Sequence, residues 1–576
     1  MSGEEIKKVA LRHAVHNAVT HEGKAQSGPV VGRIMAGFIE RRGKAKEVND
    51  IVSRIVSEVN SWSREKQVTV LKEKWPELLE RKKNIEKVKT LPPLQNVKRF
   101  EIVRTRFAPN PDGALHLGSA EPIIFCDEYA KRYKGKFILR FEDTSPDVKT
   151  PLNEIYKWIE MDLEWLGVKV DEKYVQSDRI NIYYKYAVRL LERCSAYICT
   201  CTSSAFKEIY MAKKACPCRS NSIEVNLKRW MKMKDGTYAK GDAVVRIKTD
   251  LEHPNPAVRD WPALRIAESA HPRQGNKFRV WPLYNFSCAI DDHEMKVSHI
   301  IRGKEHEVNT TRQRYLSDHL GWEFPEIINI GRLGLEVGVL SKSKIRSGIE
   351  DGSFTGWDDP RVGTLRSLKR RGLQPEAIRE VMIQIGPKPI NSTLSWDHLA
   401  SVNRKLVDPR ARRFTFVRDP VNLKVTGIPD EHKVRLPSHP DHPEWGSRDY
   451  LVKPEKGESI FIISNKDAKM MRSDVFARLM GLFNIETTHF GSDKIQARFH
   501  SKSHQEARKF DFPFVHWLPL GVGIKAQVVM PDASTAQGLA ETGCSNLEVD
   551  SMIQFERYGF VRVDSKSPFV AYYAHR

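Results

Sequence analysis

His116, Gly118 and Ser119 stand on one short turn, and their types suit phosphate chemistry. They close the run from Arg106 to Ser119, R-F-A-P-N-P-D-G-A-L-H-L-G-S, in which Pro109, Pro111 and Gly113 mark a loop. A helix opening at such a turn offers free backbone N–H groups and the positive end of its dipole to an anion. The histidine adds a donor, and Gly118 lets a base or ribose approach the backbone closely. A second stretch, G-V-L-S-K-S-K-I-R-S-G, puts Lys342 between Ser341 and Ser343. Lysine is a compact mobile charge, suited to offsetting negative charge that builds on phosphate during transfer. A third group is Cys199-Thr-Cys201 with Cys216-Pro-Cys218, two C-x-C pairs separated by 14 residues. Four thiolates are the number for a closed tetrahedral zinc site, which makes any metal there structural. Four unligated buried cysteines are the alternative; His253 is a spare candidate ligand not counted in the set.

The elements that must hold the first group read as a βαβ unit. Ile102 and Val103 lead in as a strand, a helix is predicted over Ser119–Lys134, and Lys136–Phe141 follows as a second strand ending in Glu142-Asp143. That order and length match a nucleotide-binding half of a parallel α/β sheet.

The chain has 576 residues, too many for one hydrophobic core, so several domains are expected. Lysine and arginine total 94 against 73 acidic residues, a net charge of +21. Such a field suits a polyanionic partner. The bunched cysteines fit a reducing compartment rather than a disulfide scaffold. The first residues carry no apolar signal-like run and no segment reaches membrane-spanning length, so a cytoplasmic protein without a membrane partner is expected.

Five regions follow from changes in pattern. Residues 1–95 are polar and helix-favouring, with Ile51, Ile55 and Val59 on one stripe, a break at Gly28-Pro29, and a basic linker from Arg81 to Arg99 containing Pro92-Pro93. Residues 100–194 and 286–360 alternate strands and helices. Residues 195–285, holding the cysteines, interrupt them. Residues 361–408 are helical in spacing. From 409 to 576 short alternating strands such as Phe414–Val417, Ser459–Ile463, Ala526–Val529, Phe560–Val563 and Val570–Tyr573 suggest β-barrels.

The stretch around His116-Leu-Gly-Ser119 resembles the first signature of class I aminoacyl-tRNA synthetases, H-I-G-H. Its flanks, T-R-F-A-P-N-P and R-F-E-D-T, are similar to the glutamyl subgroup in particular. The last signature position is Ser119 here instead of histidine. Leu340–Ser343 matches the second signature, K-M-S-K-S; the family's first lysine is Val339, so only Lys342 carries over. Val280–His293 and His299–His306 are similar to glutamyl-tRNA synthetases throughout, and the ending Q-F-E-R-Y-G-F-V-R-V resembles the last barrel of the archaeal and eukaryotic type.

The resemblance implies a Rossmann-type catalytic domain with an inserted acceptor-stem domain at 195–285, a tRNA-contacting helical appendage at 1–95, and anticodon-binding barrels at 409–576. For the appendage, a docking domain for another protein is the alternative. It implies ATP-dependent attachment of L-glutamate to tRNA(Glu) through glutamyl-adenylate, with tRNA(Gln) as a further substrate, Mg²⁺ accompanying ATP, and a monomer. It places Pro109, Asn110, His116, Gly118, Ser119, Ser341, Lys342 and Ser343 at ATP, with His116 and Lys342 offsetting phosphate charge. It places Arg106 at the substrate α-carboxylate, Glu142 at the α-amino group, Tyr284 on the pocket wall and Arg302 near the side-chain carboxylate. A structural salt bridge from Arg302 to Glu305 or Asp292 is the alternative. A glutaminyl enzyme, a tRNA-modifying glutamyl transferase and a non-catalytic tRNA-binding paralogue are the rival readings; Arg302 argues against the first, the strands after 410 against the second, and His116, Gly118 and Lys342 together against the third.

Overall fold

The computed structural model describes residues 3–20, 23–37, 45–75, 78, 90–336, 338–471, 475–491 and 495–576. Two compact units divide the chain, residues 1–88 and 89–576.

In the first unit, α1 (Gly3–Thr20), α2 (Ser27–Gly37), α3 (Ala45–Asn60) and α4 (Arg64–Lys74) share a core of small and β-branched residues, among them Ala14, Val15, Ala18, Val30, Val52 and Val59. The stripe read from the sequence lies on α3, with Ile55 and Val59 buried and Ile51 half-buried. The predicted break at Gly28-Pro29 is instead a helix start. Pro29 sits in the first turn of α2, where its missing N–H costs no helical bond. Side-chain amides fix the turn before it: Asn60 Oδ1 accepts from Ala25 N at 2.6 Å, and Gln67 Nε2 donates to Gly23 O at 3.0 Å.

The predicted linker needs a second correction. Residues 81–89 lie outside the described residues, but Leu91 and Leu94 are buried in the core of the second unit. Tyr133 Oη accepts from Leu94 N at 2.9 Å and Arg132 donates to Leu91 O at 2.7 Å. The boundary therefore falls before 91, because these two leucines gain more by covering the parallel sheet than by staying in a solvated spacer.

The second unit begins with β1 (Arg104–Phe107), α5 (Leu117–Arg132), β2 (Lys136–Phe141), α6 (Asn153–Trp165), β3 (Glu172–Val175) and α7 (Ile180–Glu192). An antiparallel layer of β4 (Ala196–Cys199), β5 (Val244–Ile247), β6 (Pro262–Ile266) and β7 (Val280–Pro282) follows, carrying α8 (Ser203–Met211) and α9 (Ile223–Asp235). The chain then returns through α10 (Tyr284–Glu294), β8 (His299–Gly303), α11 (Glu307–Leu320) and β9 (Glu326–Ile330). Five strands form one all-parallel sheet in the order β3-β2-β1-β8-β9. The order reverses at β1, and a cleft at the carboxyl ends of the strands on either side is where such sheets bind ligands. β2 is buried on both faces after its first residue, as a sheet covered on two sides requires.

Beyond it, β10 (Leu333–Leu335) pairs with β11 (Ser392–Leu394), framing α12 (Lys342–Glu350), α13 (Leu365–Arg370) and α14 (Pro375–Ile385), with α15 (Trp396–Val407) after them. Two seven-stranded sheets complete the chain. In one, Arg412–Phe414 and Phe416–Arg418 are the two end strands, separated only by Thr415. In the other, Phe514–Val515 and Trp517–Pro519 are the ends, separated only by His516. Each sheet thus curls back on a single stretch of chain, the barrel-like closure that removes exposed edges. The first sheet draws on 412–418 and on 524–575, so the two barrels interleave in sequence. Arg370 on α13 pairs with Asp564 at 3.0 Å, tying the helical segment to that sheet.

Candidate active site

Three of the residues expected at the amino-acid substrate stand where strands of the parallel sheet end. Arg106 is the third residue of β1, Glu142 follows β2 directly, and Arg302 is the fourth residue of β8. Two helices face them. On α10, Tyr284, Cys288 and Asp292 recur every four residues and share one face. On α11, Thr310 and Gln313, three residues apart, share one face just after His306, whose ring lies 5.5 Å from that of Tyr284.

One carboxylate organises the cationic floor. Asp292 Oδ1 accepts from Arg140 Nη1 at 2.7 Å and Arg106 Nε at 3.3 Å. Burial disfavours its charge, but Arg140 and then Arg106 hold Asp292 below its usual carboxylate range. Arg140, fully buried, also donates to Glu142 Oε1 at 2.9 Å, and the Cys288 thiol lies 3.0 Å from the same oxygen. Glu142 Oε2 and the two terminal nitrogens of Arg106 have no hydrogen-bond partner among the described residues. They are the groups an amino acid's ammonium and carboxylate would pair with.

Arg302 is only 6% exposed, yet neither Glu305 nor Asp292 pairs with it, so the alternative of a structural salt bridge falls away. Its partners are neutral: Gln313 Oε1 at 3.0 Å and Thr310 Oγ1 at 2.6 Å. Its Nε has no partner. Tyr284 packs beside these groups, and burial, then Cys288 and Glu142, raise its pKa strongly. Across the pocket three guanidinia (Arg106, Arg140, Arg302) face two carboxylates (Glu142, Asp292), leaving one buried positive charge in excess.

The two signature stretches, expected at the nucleotide, come together. His116 is the N-cap of α5, and its Nδ1 is buried without a partner. Burial, then Lys342 and Arg332, push the imidazole down to about 4, so it is neutral at pH 7 and donates through one N–H. Ser119 N–H turns back to His116 O at 2.7 Å. A Cβ on Gly118 would lie 3.1 Å from the His116 ring, and one on Gly113 would lie 2.6 Å from the Trp357 indole. Pro109 O accepts from Glu142 N at 2.9 Å, coupling this loop to the amino-acid side, and Asn110 Oδ1 is buried without a partner.

Lys342 opens α12. Its Nζ donates to Asp112 Oδ1 at 3.0 Å and to Asn110 O at 3.4 Å. Ser341 and Ser343 hydroxyls lie 3.1 Å apart beside it. A clasp made of residues 361–365 holds both stretches. Gly363 N donates to Val339 O at 2.8 Å, Leu117 N to Gly363 O at 3.0 Å, and Leu365 N to Leu115 O at 2.8 Å. Val339, standing where the family has lysine, thus serves through its backbone.

Asp292, read as an alternative partner of Arg302, serves Arg140 and Arg106 instead, and sequence reasoning missed Asp112, Gln313, Thr310 and the clasp. Asp292 had a signal in its i, i+8 spacing from Tyr284. The clasp had none, because it pairs segments more than 200 residues apart.

The cysteines converge as read. The four Sγ atoms lie within 4.8 Å of one another, with Cys199–Cys216 at 3.6 Å, Cys201–Cys216 at 3.4 Å and Cys201–Cys218 at 4.0 Å. Thiolates about 2.3 Å from one zinc sit about 3.8 Å apart, so the set fits a tetrahedral ion. Despite burial, the Thr200 backbone N–H and Arg229 hold the Cys218 thiol at about 6. His253 instead contacts Asn255 and stays outside the cluster. Among the described residues no other group of three or more His, Cys, Asp or Glu side chains converges in this way.

Comparison with known proteins agrees with this geometry. Residues 102–409 match the family "tRNA synthetases class I (E and Q), catalytic domain", and residues 411–502 and 514–564 match its two anti-codon binding domain models. A glutamate--tRNA ligase of Pyrococcus furiosus is 50% identical over 580 residues, covering 99% of this chain and 100% of that protein. One of Thermococcus kodakarensis is 49% identical over 578 residues, covering all of both chains. The chain belongs to the class I glutamyl and glutaminyl tRNA synthetase family, alongside the archaeal glutamate--tRNA ligases.

Proposed function

We propose that this chain attaches L-glutamate to tRNA(Glu) at the expense of ATP. The glutamate α-carboxylate oxygen attacks the α-phosphorus in line, and pyrophosphate leaves. The 2′-hydroxyl of the terminal adenosine then attacks the glutamyl carbonyl, and AMP leaves. No protein nucleophile takes part; positioning and charge stabilisation carry the rate.

In this reading Arg106 receives the α-carboxylate, Glu142 the α-ammonium, and Tyr284 walls the side chain. Arg302 takes the γ-carboxylate. His116 donates to phosphate as a neutral imidazole, and Lys342 leaves Asp112 to follow the charge onto the departing pyrophosphate. The backbone around Pro109, Asn110, Gly118 and Ser119 and the hydroxyls of Ser341 and Ser343 frame ATP. Mg²⁺, bound with the triphosphate, supplies further charge neutralisation. Zinc held by Cys199, Cys201, Cys216 and Cys218 would brace the insertion against the acceptor stem. The strand-rich residues 409–576, rich in arginine beside aromatics, suit single-stranded anticodon bases. Acceptance of tRNA(Gln) is part of the proposal only as the archaeal-type resemblance carries it.

The observation that carries the reading is Arg302: a buried guanidinium with neutral protein partners, in a pocket with one positive charge in excess. Glutamate brings the missing carboxylate; glutamine leaves the charge unpaired in a buried site, which is costly. ATP–pyrophosphate exchange with each amino acid, with tRNA present, tests it. Exchange with glutamate and not glutamine is expected, and the reverse preference would overturn it.

A further inference from the structure

We infer that Gln313 is a specificity-determining residue, whose neutral amide orients Arg302 while leaving that guanidinium's charge for an acidic substrate side chain. This rests on the proposed role of Arg302. Gln313 is 1% exposed and gives Arg302 Nη1 an oxygen at 3.0 Å. Its amide is turned that way by a second neutral group: Gln313 Nε2 donates to Asn285 Oδ1 at 3.4 Å. Asn285 follows Tyr284 on α10, so a chain of uncharged contacts runs from one pocket helix through the other to Arg302.

Arg259, Arg371 and Arg478 are likewise buried with no carboxylate partner among the described residues, whereas other well-shielded arginines of this unit are paired with one. Arg140 has Asp292 and Glu142, Arg179 has Asp291, and Arg448 has Glu541 and Glu556. A carboxylate at 313 would reach Arg302 with the same number of atoms and bind it more strongly. It would also cancel the pocket's excess charge. The site would then meet glutamate's γ-carboxylate with no net attraction and an added repulsion, while the penalty against a neutral amide side chain would vanish. An amide at 313 thus keeps the pocket selective for an acid, and Thr310, equally neutral, does the same at Nη2.

The test uses the full chain in ATP–pyrophosphate exchange with tRNA, comparing Gln313→Glu, Gln313→Met and Arg302→Gln. Gln313→Glu adds no heavy atoms. It is expected to raise KM for glutamate at least tenfold, leave KM for ATP unchanged, and lower the glutamate-to-glutamine ratio of kcat/KM at least tenfold. Gln313→Met removes the acceptor without adding charge and is expected to keep that ratio within about threefold of the unaltered chain. A Gln313→Glu variant with unaltered KM and ratio overturns the inference, as does Gln313→Met losing selectivity to the same extent. Arg302→Gln separates the two readings. If it leaves KM for glutamate unchanged, the assignment of Arg302 itself fails; if it raises KM while Gln313→Glu does not, only the role of Gln313 fails.

Discussion

Lys342 Nζ rests 3.0 Å from Asp112 Oδ1, so the lysine of the second signature is held by the loop of the first. Both groups are shielded from solvent, with side-chain exposures of 26% and 18%. Arg346, one helical turn further along α12, donates to the Asp112 carbonyl. The loop therefore holds Lys342 in place, and under the proposed function the triphosphate would have to outcompete one carboxylate for it. Lys342→Ala is expected to slow glutamyl-adenylate formation by about 10²-fold or more, the usual scale for one transition-state donor. Binding of tRNA, measured by filter retention, should be unchanged. An unaltered activation rate would remove Lys342 from the chemistry.

Arg140 and Arg302 make opposite predictions although both are buried. Arg140 neutralises Asp292 and Glu142, so Arg140→Gln strands buried carboxylates and should cost about 3–5 kcal/mol in denaturant unfolding. Arg302 has only neutral partners, so Arg302→Gln strands none. It should leave unfolding within about 1 kcal/mol of the unaltered chain and raise KM for glutamate about a hundredfold or more, as loss of a buried charge partner does. Equal destabilisation by both would mean that Arg302 is structural.

His116 fixes the sign of one pH dependence. Its pKa is lowered to about 4 in the fold by burial, Lys342 and Arg332, against 6.5 for an ordinary histidine. Between those values the unfolded chain binds the proton and the folded chain does not, so His116 makes stability fall as pH drops from 6.5 towards 4. His116→Gln should be less acid-labile than the unaltered chain over that window. In NMR of ring-labelled histidine, the His116 signal should stay in its neutral position down to about pH 5. Titration near 6.5 would contradict the burial described for its ring.

The cysteine set should carry one zinc per chain by elemental analysis. Chelation, or Cys201→Ser, is expected to depress aminoacylation more than adenylate formation, because the cluster lies in the insertion and not beside ATP. It should also lower thermal stability. Full aminoacylation by metal-free protein would make the cluster four resting thiols.

How much of this could be read from the residues alone depended on the range of the contact. The βαβ unit was legible because its signals are local: β2 spans Lys136–Phe141 as read, α5 starts two residues earlier than predicted, at Leu117, and the first strand lies at Arg104–Phe107, just after the Ile102 and Val103 from which it was read. The cysteine cluster was legible because zinc chemistry fixes both ligand type and number. Arg302 was legible only through family resemblance; its neutral partners, which decide its role, come from a helix whose register no local pattern sets. Leu91 and Leu94 were misread because two prolines between them look like a spacer while the sheet face they cover is formed by residues far along the chain. The interleaving of 412–418 with 524–575 was equally hidden, since short alternating strands give their faces but not their partners.

The central claim is that this chain charges tRNA with glutamate, and aminoacylation with labelled glutamate tests it most directly. Purified tRNA(Glu) and tRNA(Gln) are each incubated with the protein, ATP and Mg²⁺. The account predicts ATP-dependent glutamylation of tRNA(Glu), with tRNA(Gln) reporting whether the barrels accept both anticodons. Failure to glutamylate tRNA(Glu) would contradict it.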